Sequence, residues 1–185
     1  MIHNLWWIHC GVVLDRKSWN SVENGDAPES SAVVVEIPRG RYPGRLDDKG
    51  RLKLAAPFQK FLSSLPEKTL FCTSLDRRTA VIYPISAWRY NEKFFETFYS
   101  DPRAAKIMMF TAQDLGSEEA MDAQGRVLLN SDLRRELGLE KTELHMYAEK
   151  GHITILTDAI YQERRLQSQR EAEAALDVLE RAGMK

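Results

Sequence analysis

One short stretch occurs twice in this chain, as Leu46-Asp47-Asp48-Lys49-Gly50-Arg51-Leu52 and, 75 positions later, as Met121-Asp122-Ala123-Gln124-Gly125-Arg126-Val127. Each copy places an aspartate four residues before an arginine, a glycine directly before that arginine, and an apolar run after it. Repetition at a fixed distance indicates that a chain is built from copies of one structural unit. The sequence therefore predicts two related units.

The similarity continues downstream of both turns. An apolar run, a polar connection and a second apolar run follow in the same order each time. The matching segments are 50–54 with 125–129, 67–69 with 140–142, and 81–84 with 153–156. Ordered matches over most of two units are far stronger than a single shared motif.

The residue types predict the elements of each unit. Asp and Gly favour tight turns, because Asp hydrogen-bonds the local backbone and Gly tolerates a positive φ. Residues 55–62 follow the first turn and predict a short helix with Pro57 in its first turn. Residues 69–74 and 79–83 predict a hairpin around 75–78. Each unit is thus predicted to be β-hairpin, short helix, β-hairpin, which makes the fold α+β.

Two helices are predicted between the units. Aromatic residues at helical spacing occupy residues 86–99, and Asp101 with Pro102 forms an N-cap signal for a second helix. This stripe favours a packed core over the alternative, a ligand groove. Its members are Trp88, Phe94, Phe95, Phe98, Met108, Met109 and Phe110.

The tail from Ala159 onward is rich in Glu, Arg, Gln and Ala, with few apolar residues. This composition predicts a solvated helix, with weak coiled-coil pairing as the alternative.

The composition of the chain limits which classes of protein it can belong to. The chain has 185 residues, 43% of them hydrophobic and 29% charged, which is typical of a folded globular protein. Its net charge of −1 does not by itself indicate a nucleic-acid-binding protein. The two cysteines form no disulfide framework, and Cys72 in an apolar run is interpreted as a core residue. His3, His9 and Cys10 are too few to predict a metal site, so no metal and no cofactor is expected.

The N-terminal segment differs from the rest. Residues 1–13 are apolar but lack a charged signal-peptide start and are too short to span a bilayer, so an intracellular protein is expected. Residues 20–31 are polar and turn-rich, which is typical of a linker. Residues 1–35 are therefore interpreted as a partly disordered extension, either an appended element or a stretch upstream of the true translation start.

Further short motifs accompany the two turns. They are Arg39-Gly40, Val81-Ile82-Tyr83-Pro84 followed by Trp88, and Leu133-Arg134 followed by Gly138-Leu139. In this order, over about residues 38–165, the chain resembles the MraZ family of bacterial transcriptional regulators. It departs from the family pattern at Ala55, Gln59, Asn130 and Leu156, and no family counterpart is recognised before about Val33.

The resemblance implies two AbrB-like swapped-hairpin units that form an intertwined small β-barrel. It also implies a ring-shaped homo-oligomer in the cytoplasm, associated with the nucleoid, on repeated sites upstream of the division and cell-wall gene cluster, including its own gene. The expected boundaries are 1–35 for the extension, 38–85 and 113–158 for the two units, 86–112 for the linking helices, and 159–185 for the helical tail.

Charge separates the two units. Residues 39–60 contain seven basic and two acidic residues, a net charge of +5, whereas residues 118–135 carry −1. Alternate residues of a strand share a face, and a two-stranded β element can enter the major groove, where Arg reads guanine and Lys contacts phosphate. We therefore expect the first unit to supply most of the contacts to double-stranded DNA. The candidates are Arg39, Arg41 and Arg45 on one strand face, Lys49 and Arg51 at the turn, Lys53 on the partner strand, and Arg126 from the second unit.

Each candidate has a structural alternative. Asp47 and Asp122 are interpreted as turn-fixing residues that pair with the arginine four positions on, and Gly50 and Gly125 as the turn glycines. For Arg126 structure and DNA contact are equally supported, and a merely solvated basic face is the alternative for Arg39, Arg41 and Lys53.

Two other classes of function are weighed against DNA binding. AbrB-like units can also act as oligomeric scaffolds or antitoxins, whose basic face would bind an acidic protein partner. An enzyme is disfavoured, because the sequence has no Gly-rich phosphate loop, no nucleophile elbow and no His–Cys pairing. Asp47 and Asp122 would each be held ionised by the arginine that follows, which argues against a shared-proton acid/base pair.

Overall fold

The computed structural model describes residues 36–185. The predictions for the N-terminal extension, its linker and His3, His9 and Cys10 lie outside these residues. The described part contains eight strands and five helices. The strands are β1 (Tyr42–Gly44), β2 (Arg51–Lys53), β3 (Thr69–Thr73), β4 (Ala80–Pro84), β5 (Ser117–Ala120), β6 (Arg126–Leu128), β7 (Leu144–Glu149) and β8 (His152–Thr157). The helices are α1 (Ala56–Ser64), α2 (Ile85–Thr97), α3 (Pro102–Asp114), α4 (Ser131–Glu136) and α5 (Asp158–Arg181).

All strand pairs are antiparallel, and the α+β class is confirmed. A six-stranded sheet has the order β1-β7-β8-β4-β3-β5, and β2 with β6 forms a separate two-stranded ribbon. The repeat relates β1 to β5, β3 to β7 and β4 to β8, and exchanging each strand for its counterpart gives the same order read in reverse. An approximate twofold axis therefore passes between β4 and β8 and through the ribbon.

The first hairpin of each unit differs from the prediction. Around the first turn, Leu46 and Leu52 form a single bridge, after which the two strands separate. β1 pairs with β7, with Pro43 opposite His145, and β2 pairs with β6. In the second unit β5 pairs with β3 rather than with β6. Residue pattern identifies a strand by its buried face, but it carries no information about which distant edge the strand joins.

The second hairpins follow the prediction. β3 pairs with β4 and β7 with β8, and the two hairpins join through β4 and β8. Val81, Ile82 and Tyr83 are all buried, because the strands of this central region are covered on both faces. Cys72 is fully buried in β3, as interpreted from the sequence, and burial raises the pKa of its thiol.

The short helices sit at equivalent positions. α1 carries Pro57 in its first turn and buries Phe58, Phe61 and Leu62. α4 is shorter and is capped by Asn130, whose side chain accepts a hydrogen bond of 2.7 Å from the Leu133 amide. Each helix thus turns an apolar side toward the core, with Phe58 and Leu133 fully buried.

The linking helices place only part of the aromatic stripe in the core. Trp88 is buried and stacks on Phe71 with the ring centroids 4.4 Å apart. Phe94 is 49% exposed and Phe110 66% exposed, so the prediction of a packed core is wrong for these two residues. Each of the two has a neighbour in the chain that takes the inward position: Phe95 packs against the core cluster that contains Trp88, and Thr111 is buried on α3.

α5 is a 24-residue helix with no buried residue. Thr157 caps its start, and every residue from Gln162 to the end is exposed, so the predicted solvated helix is confirmed. Among residues 36–185, no helix has the length and apolar character needed to cross a membrane.

Candidate nucleic-acid interface

The ribbon of β2 and β6 has one buried and one outward face. Its register sets Arg51 opposite Leu128, Leu52 opposite Val127, and Lys53 opposite Arg126. Leu52 and Val127 are fully buried, so the residues on either side of them in each strand point outward. The outward face therefore consists of Arg51, Lys53, Arg126 and Leu128.

The first turn is held by one aspartate. Asp47 Oδ1 accepts hydrogen bonds from the amides of Lys49 (3.0 Å) and Arg51 (2.9 Å). Its Oδ2 accepts from Arg51 Nε at 2.8 Å and lies 2.7 Å from Nη2. Gly50 completes the turn with φ of +75°, a conformation that non-glycine residues rarely adopt.

The second turn repeats this geometry. Asp122 Oδ1 accepts from the amides of Gln124 and Arg126 at 2.9 Å, and its Oδ2 accepts from Arg126 Nε at 2.8 Å. Gly125 has φ of +73°. Both aspartates thus orient the guanidinium group that follows them.

These contacts keep both carboxylates ionised. The side-chain and backbone hydrogen bonds from Arg51 lower the pKa of Asp47 from 3.8 to about 2. The same bonds from Arg126 lower the pKa of Asp122. Each turn therefore combines one fixed anion with one fixed arginine at neutral pH.

The two turns are joined directly. The Leu54 amide donates to the Gly125 carbonyl at 3.0 Å, and the Leu129 amide donates to the Gly50 carbonyl at 3.1 Å. Arg126 Nη1 also lies 3.7 Å from Asp47 Oδ2. The arginines of both units consequently belong to one surface.

Sequence reasoning missed the residues that support the turns from behind. Arg134 lies against Gly50, Gln59 lies against Gly125, and these side chains donate to the carbonyls of Leu129 and Leu54 respectively. Arg134 stands 75 positions after Gln59, the offset of the repeat. That offset was the available signal, because it predicts equivalent places in the fold.

Only part of the predicted strand face of N-terminal arginines is present. β1 covers Tyr42–Gly44, and Gly40 has φ of +99°, so the extended backbone assumed for residues 39–45 is interrupted between Arg39 and Arg41. Exposure alternates along residues 41–45, and Arg41 and Arg45 are both exposed. Arg39 is exposed and pairs with Glu36 at 3.1 Å. Arg45 is exposed beyond the end of β1, and the exposed Lys49 lies in the turn itself.

Arg41 contacts His145 of β7 and the first turn of α5. Its Nη1 lies 2.6 Å from His145 Nδ1, and its guanidinium group lies 4.9 Å from the ring centroid of Tyr161. His145 is 3% exposed, and its Nε2 lies 2.9 Å from Asp158 Oδ1. That hydrogen bond lowers the pKa of Asp158.

The ribbon can attract a polyanion. Three basic side chains share a face, and the flanking turn adds Lys49. Lys53 stands directly opposite Arg126, whose guanidinium group is already paired with Asp122 and lies near Asp47. Within residues 36–185 no three His, Cys, Asp or Glu side chains are grouped so as to hold a metal ion.

Comparison with known proteins identifies relatives of this chain. No family model matches it. It is 38% identical over 96 residues to "Transcriptional regulator MraZ" of Acidobacterium capsulatum, an alignment that covers 52% of this chain and 66% of that protein. Proteins of the same description from Dechloromonas aromatica and Thermomicrobium roseum are 31% and 32% identical, over 62% and 60% of this chain.

The chain spans just under two thirds of the Acidobacterium protein, but 76% and 78% of the other two relatives. Similarity at this level over most of a relative's length, together with the repeated turns that carry the resemblance, establishes common descent. The chain belongs to the MraZ family.

Proposed function

We propose that this chain is a DNA-binding transcriptional regulator and that the outward face of the β2–β6 ribbon contacts duplex DNA. The observation that carries the proposal is the convergence of Arg51, Lys53 and Arg126 on one face of a two-stranded ribbon. A ribbon of this width fits the major groove. The description of the relatives as transcriptional regulators supports the same assignment.

The candidate residues divide into two kinds of contact. Arg51 and Arg126 are oriented by aspartates, which suits them to bases, whereas Lys49, Lys53, Arg39 and Arg45 are suited to phosphates. Arg41 is a supporting residue in this scheme, because its guanidinium group is bound to His145.

We further propose that residues 38–85 and 113–158 are AbrB-like swapped-hairpin units that make an intertwined small barrel. The exchange of β1 and β5 between the units supports this assignment. Residues 86–112 then serve as the linking helices and residues 159–185 as a helical tail.

A ring-like homo-oligomer on repeated promoter sites is the form in which we propose that the chain acts. One ribbon offers few cations, and several copies on successive repeats would raise the affinity through effective concentration. The exposed Phe94 and Phe110 on α2 and α3 are consistent with contact between copies. We propose the division and cell-wall gene cluster, including the chain's own gene, as the target, and hence a place at the nucleoid.

Fluorescence anisotropy with a duplex from the region upstream of the chain's own gene tests the proposal. We expect the logarithm of the association constant to fall linearly with the logarithm of the salt concentration, because binding releases counterions. Arg51→Ala should weaken binding by roughly 1–3 kcal/mol. Arg165→Ala, which removes the same charge from the exposed helix α5, is the matched control and should change little.

The mass of each variant, measured by light scattering, must remain that of the wild type. Salt-insensitive or absent binding by the wild type would contradict a DNA-binding role and would favour the scaffold or antitoxin alternative. Unchanged affinity in Arg51→Ala would contradict the assignment of the ribbon.

A further inference from the structure

The outward face of the ribbon breaks the approximate twofold symmetry at one position. The repeat relates Arg51 to Arg126 and Leu52 to Val127, and these pairs keep their character. It also relates Lys53 to Leu128, where a cation is replaced by an apolar side chain. The buried part of the ribbon is symmetric, and the break lies on the surface that faces outward.

The register turns this substitution into a difference between the two ends of the ribbon. At one end Lys53 lies opposite Arg126, so two cations stand side by side. At the other end Arg51 lies opposite Leu128, so one cation stands beside a leucine. Leu128 is 39% exposed, and Lys53 is exposed with its Nζ donating to the Gln124 carbonyl.

The position of Leu128 ties it to Arg51. Side chains directly opposite each other on an antiparallel pair have Cβ atoms about 5 Å apart. A surface that packs against the ribbon beside the Cβ of Arg51 therefore also lies beside Leu128. A leucine cannot bond to phosphate, and the one apolar group that a base pair presents in the major groove is the C5-methyl of thymine.

We propose that Leu128 contacts the C5-methyl group of a thymine beside the base read by Arg51, so that the two ends of the ribbon prefer different base pairs. The inference rests on the proposed DNA-binding function and adds the base that this end of the ribbon prefers. A symmetric ribbon would place equivalent groups at both ends and would favour a palindrome. Lys53 opposite Arg126 gives the other end two cations and no apolar contact.

Replacing thymine with uracil tests the contact at a single methyl group. The probe is the tightest duplex that the full chain selects from a random-sequence library, with each thymine replaced by uracil in turn. At one thymine position in each binding unit we expect a loss of affinity of about fourfold, the effect of removing one buried apolar carbon. Other thymine positions should show no loss.

Variants at the two related positions assign that loss to Leu128. Leu128→Ala should bind thymine and uracil duplexes equally, whereas Leu128→Met, which retains an apolar side chain, should keep most of the difference. Leu128→Lys should also lose the difference between thymine and uracil duplexes, and it should steepen the salt dependence by about one counterion. Lys53→Leu, the matched change at the other end, should retain the original difference and reduce the salt dependence by about one.

The outcomes separate the inference from the function on which it rests. If the wild type selects no sequence and shows no salt-dependent binding, the proposed function itself fails. If it binds and Arg51→Ala weakens binding, but no thymine position responds or the response persists in Leu128→Ala, the inference alone is overturned. Circular dichroism and light scattering on each variant show whether it keeps the wild-type fold and mass, and Leu128→Lys provides the test should Leu128→Ala fail to fold.

Discussion

Asp47 and Asp122 show how much of this molecule depends on single side chains. Each carboxylate accepts two backbone amides and one guanidinium group, so it fixes the turn and the arginine together. Such multiple bonds to the charged form favour ionisation. The stability of each turn should therefore depend on pH.

Asp47→Asn tests this dependence. The pKa of Asp47 is lowered from 3.8 to about 2 on folding, so its contribution to stability is fully present above pH 3.8 and is lost as pH falls toward 2. In thermal unfolding followed by circular dichroism, the wild type should lose stability over that range more steeply than Asp47→Asn. Asp48→Asn, an exposed neighbour of equal charge, is the control and should follow the wild type.

Gly50 is the second residue on which the first turn depends. Its φ is +75°, and a Cβ atom built there would clash with the guanidinium group of Arg134. Gly50→Ala should cost about 2–3 kcal/mol in free energy of unfolding, through backbone strain plus displacement of Arg134. Gly138→Ala shares a positive φ (+60°) but meets no atom within 4 Å, so in urea unfolding it should cost only about 1 kcal/mol. Equal losses in the two variants would contradict the contact with Arg134.

At the scale of elements, α5 has two distinct parts. Its first turn is joined to β7 and β1 through Asp158, His145 and Arg41. Farther along, Arg164 donates to the Tyr147 hydroxyl at 2.8 Å, and the residues from 166 onward are exposed. Only the part of α5 up to Arg165 should contribute to the stability of residues 36–185.

Two truncations separate these parts. Ending the chain after Arg165 should change the free energy of unfolding by less than about 1 kcal/mol, because exposed residues contribute little. Ending it after Thr157 should cost roughly 1–3 kcal/mol more, because buried His145 then loses Asp158. Urea denaturation at low protein concentration measures both. A large loss from the shorter deletion would show that the tail contacts another part of the molecule or another copy.

At the scale of the whole molecule, the approximate twofold axis means that neither unit is complete alone. Within residues 36–185, β1 of the first unit pairs only with β7 of the second, and β5 of the second pairs only with β3 of the first. The ribbon takes one strand from each unit. Folding should therefore be a single cooperative event for residues 36–185.

Fragments test this cooperativity. Residues 36–114 and 115–185, produced separately, should each give the poorly dispersed NMR spectrum of an unfolded chain. Mixed, they should recover the dispersion of the intact protein, because every missing strand partner is then supplied. A folded spectrum from either fragment alone would contradict the interdependence of the units.

Prediction from sequence succeeded where the determining interactions are local. The turns around Asp47 and Asp122, the hairpin of β3 and β4, and the start of α3 at Asp101 all depend on neighbours within a few residues. The partners of β1 and β5 could not be predicted, because strand pairing across about 50–100 residues leaves no local pattern.

The missing information about distant strand partners also explains why a charge count along the sequence did not describe the ribbon. Counting along the chain gave residues 118–135 a net charge of −1, and the first unit was therefore expected to supply most of the contacts to DNA. In the folded molecule Arg126 lies opposite Lys53, while Glu118 and Glu119 lie on β5 beside β3. Charge that is averaged along a sequence does not describe a face built from two distant strands.

The exchange of strands between the units has an evolutionary consequence. The palindromic strand order is the one expected if two subunits of a symmetric dimer became one polypeptide. In such a dimer every mutation occurs twice, so an improvement at one turn is always imposed on the other. Fusion into one gene removes that constraint. Gln59 can then differ from Arg134, and Lys53 from Leu128, while the shared core keeps its inherited form.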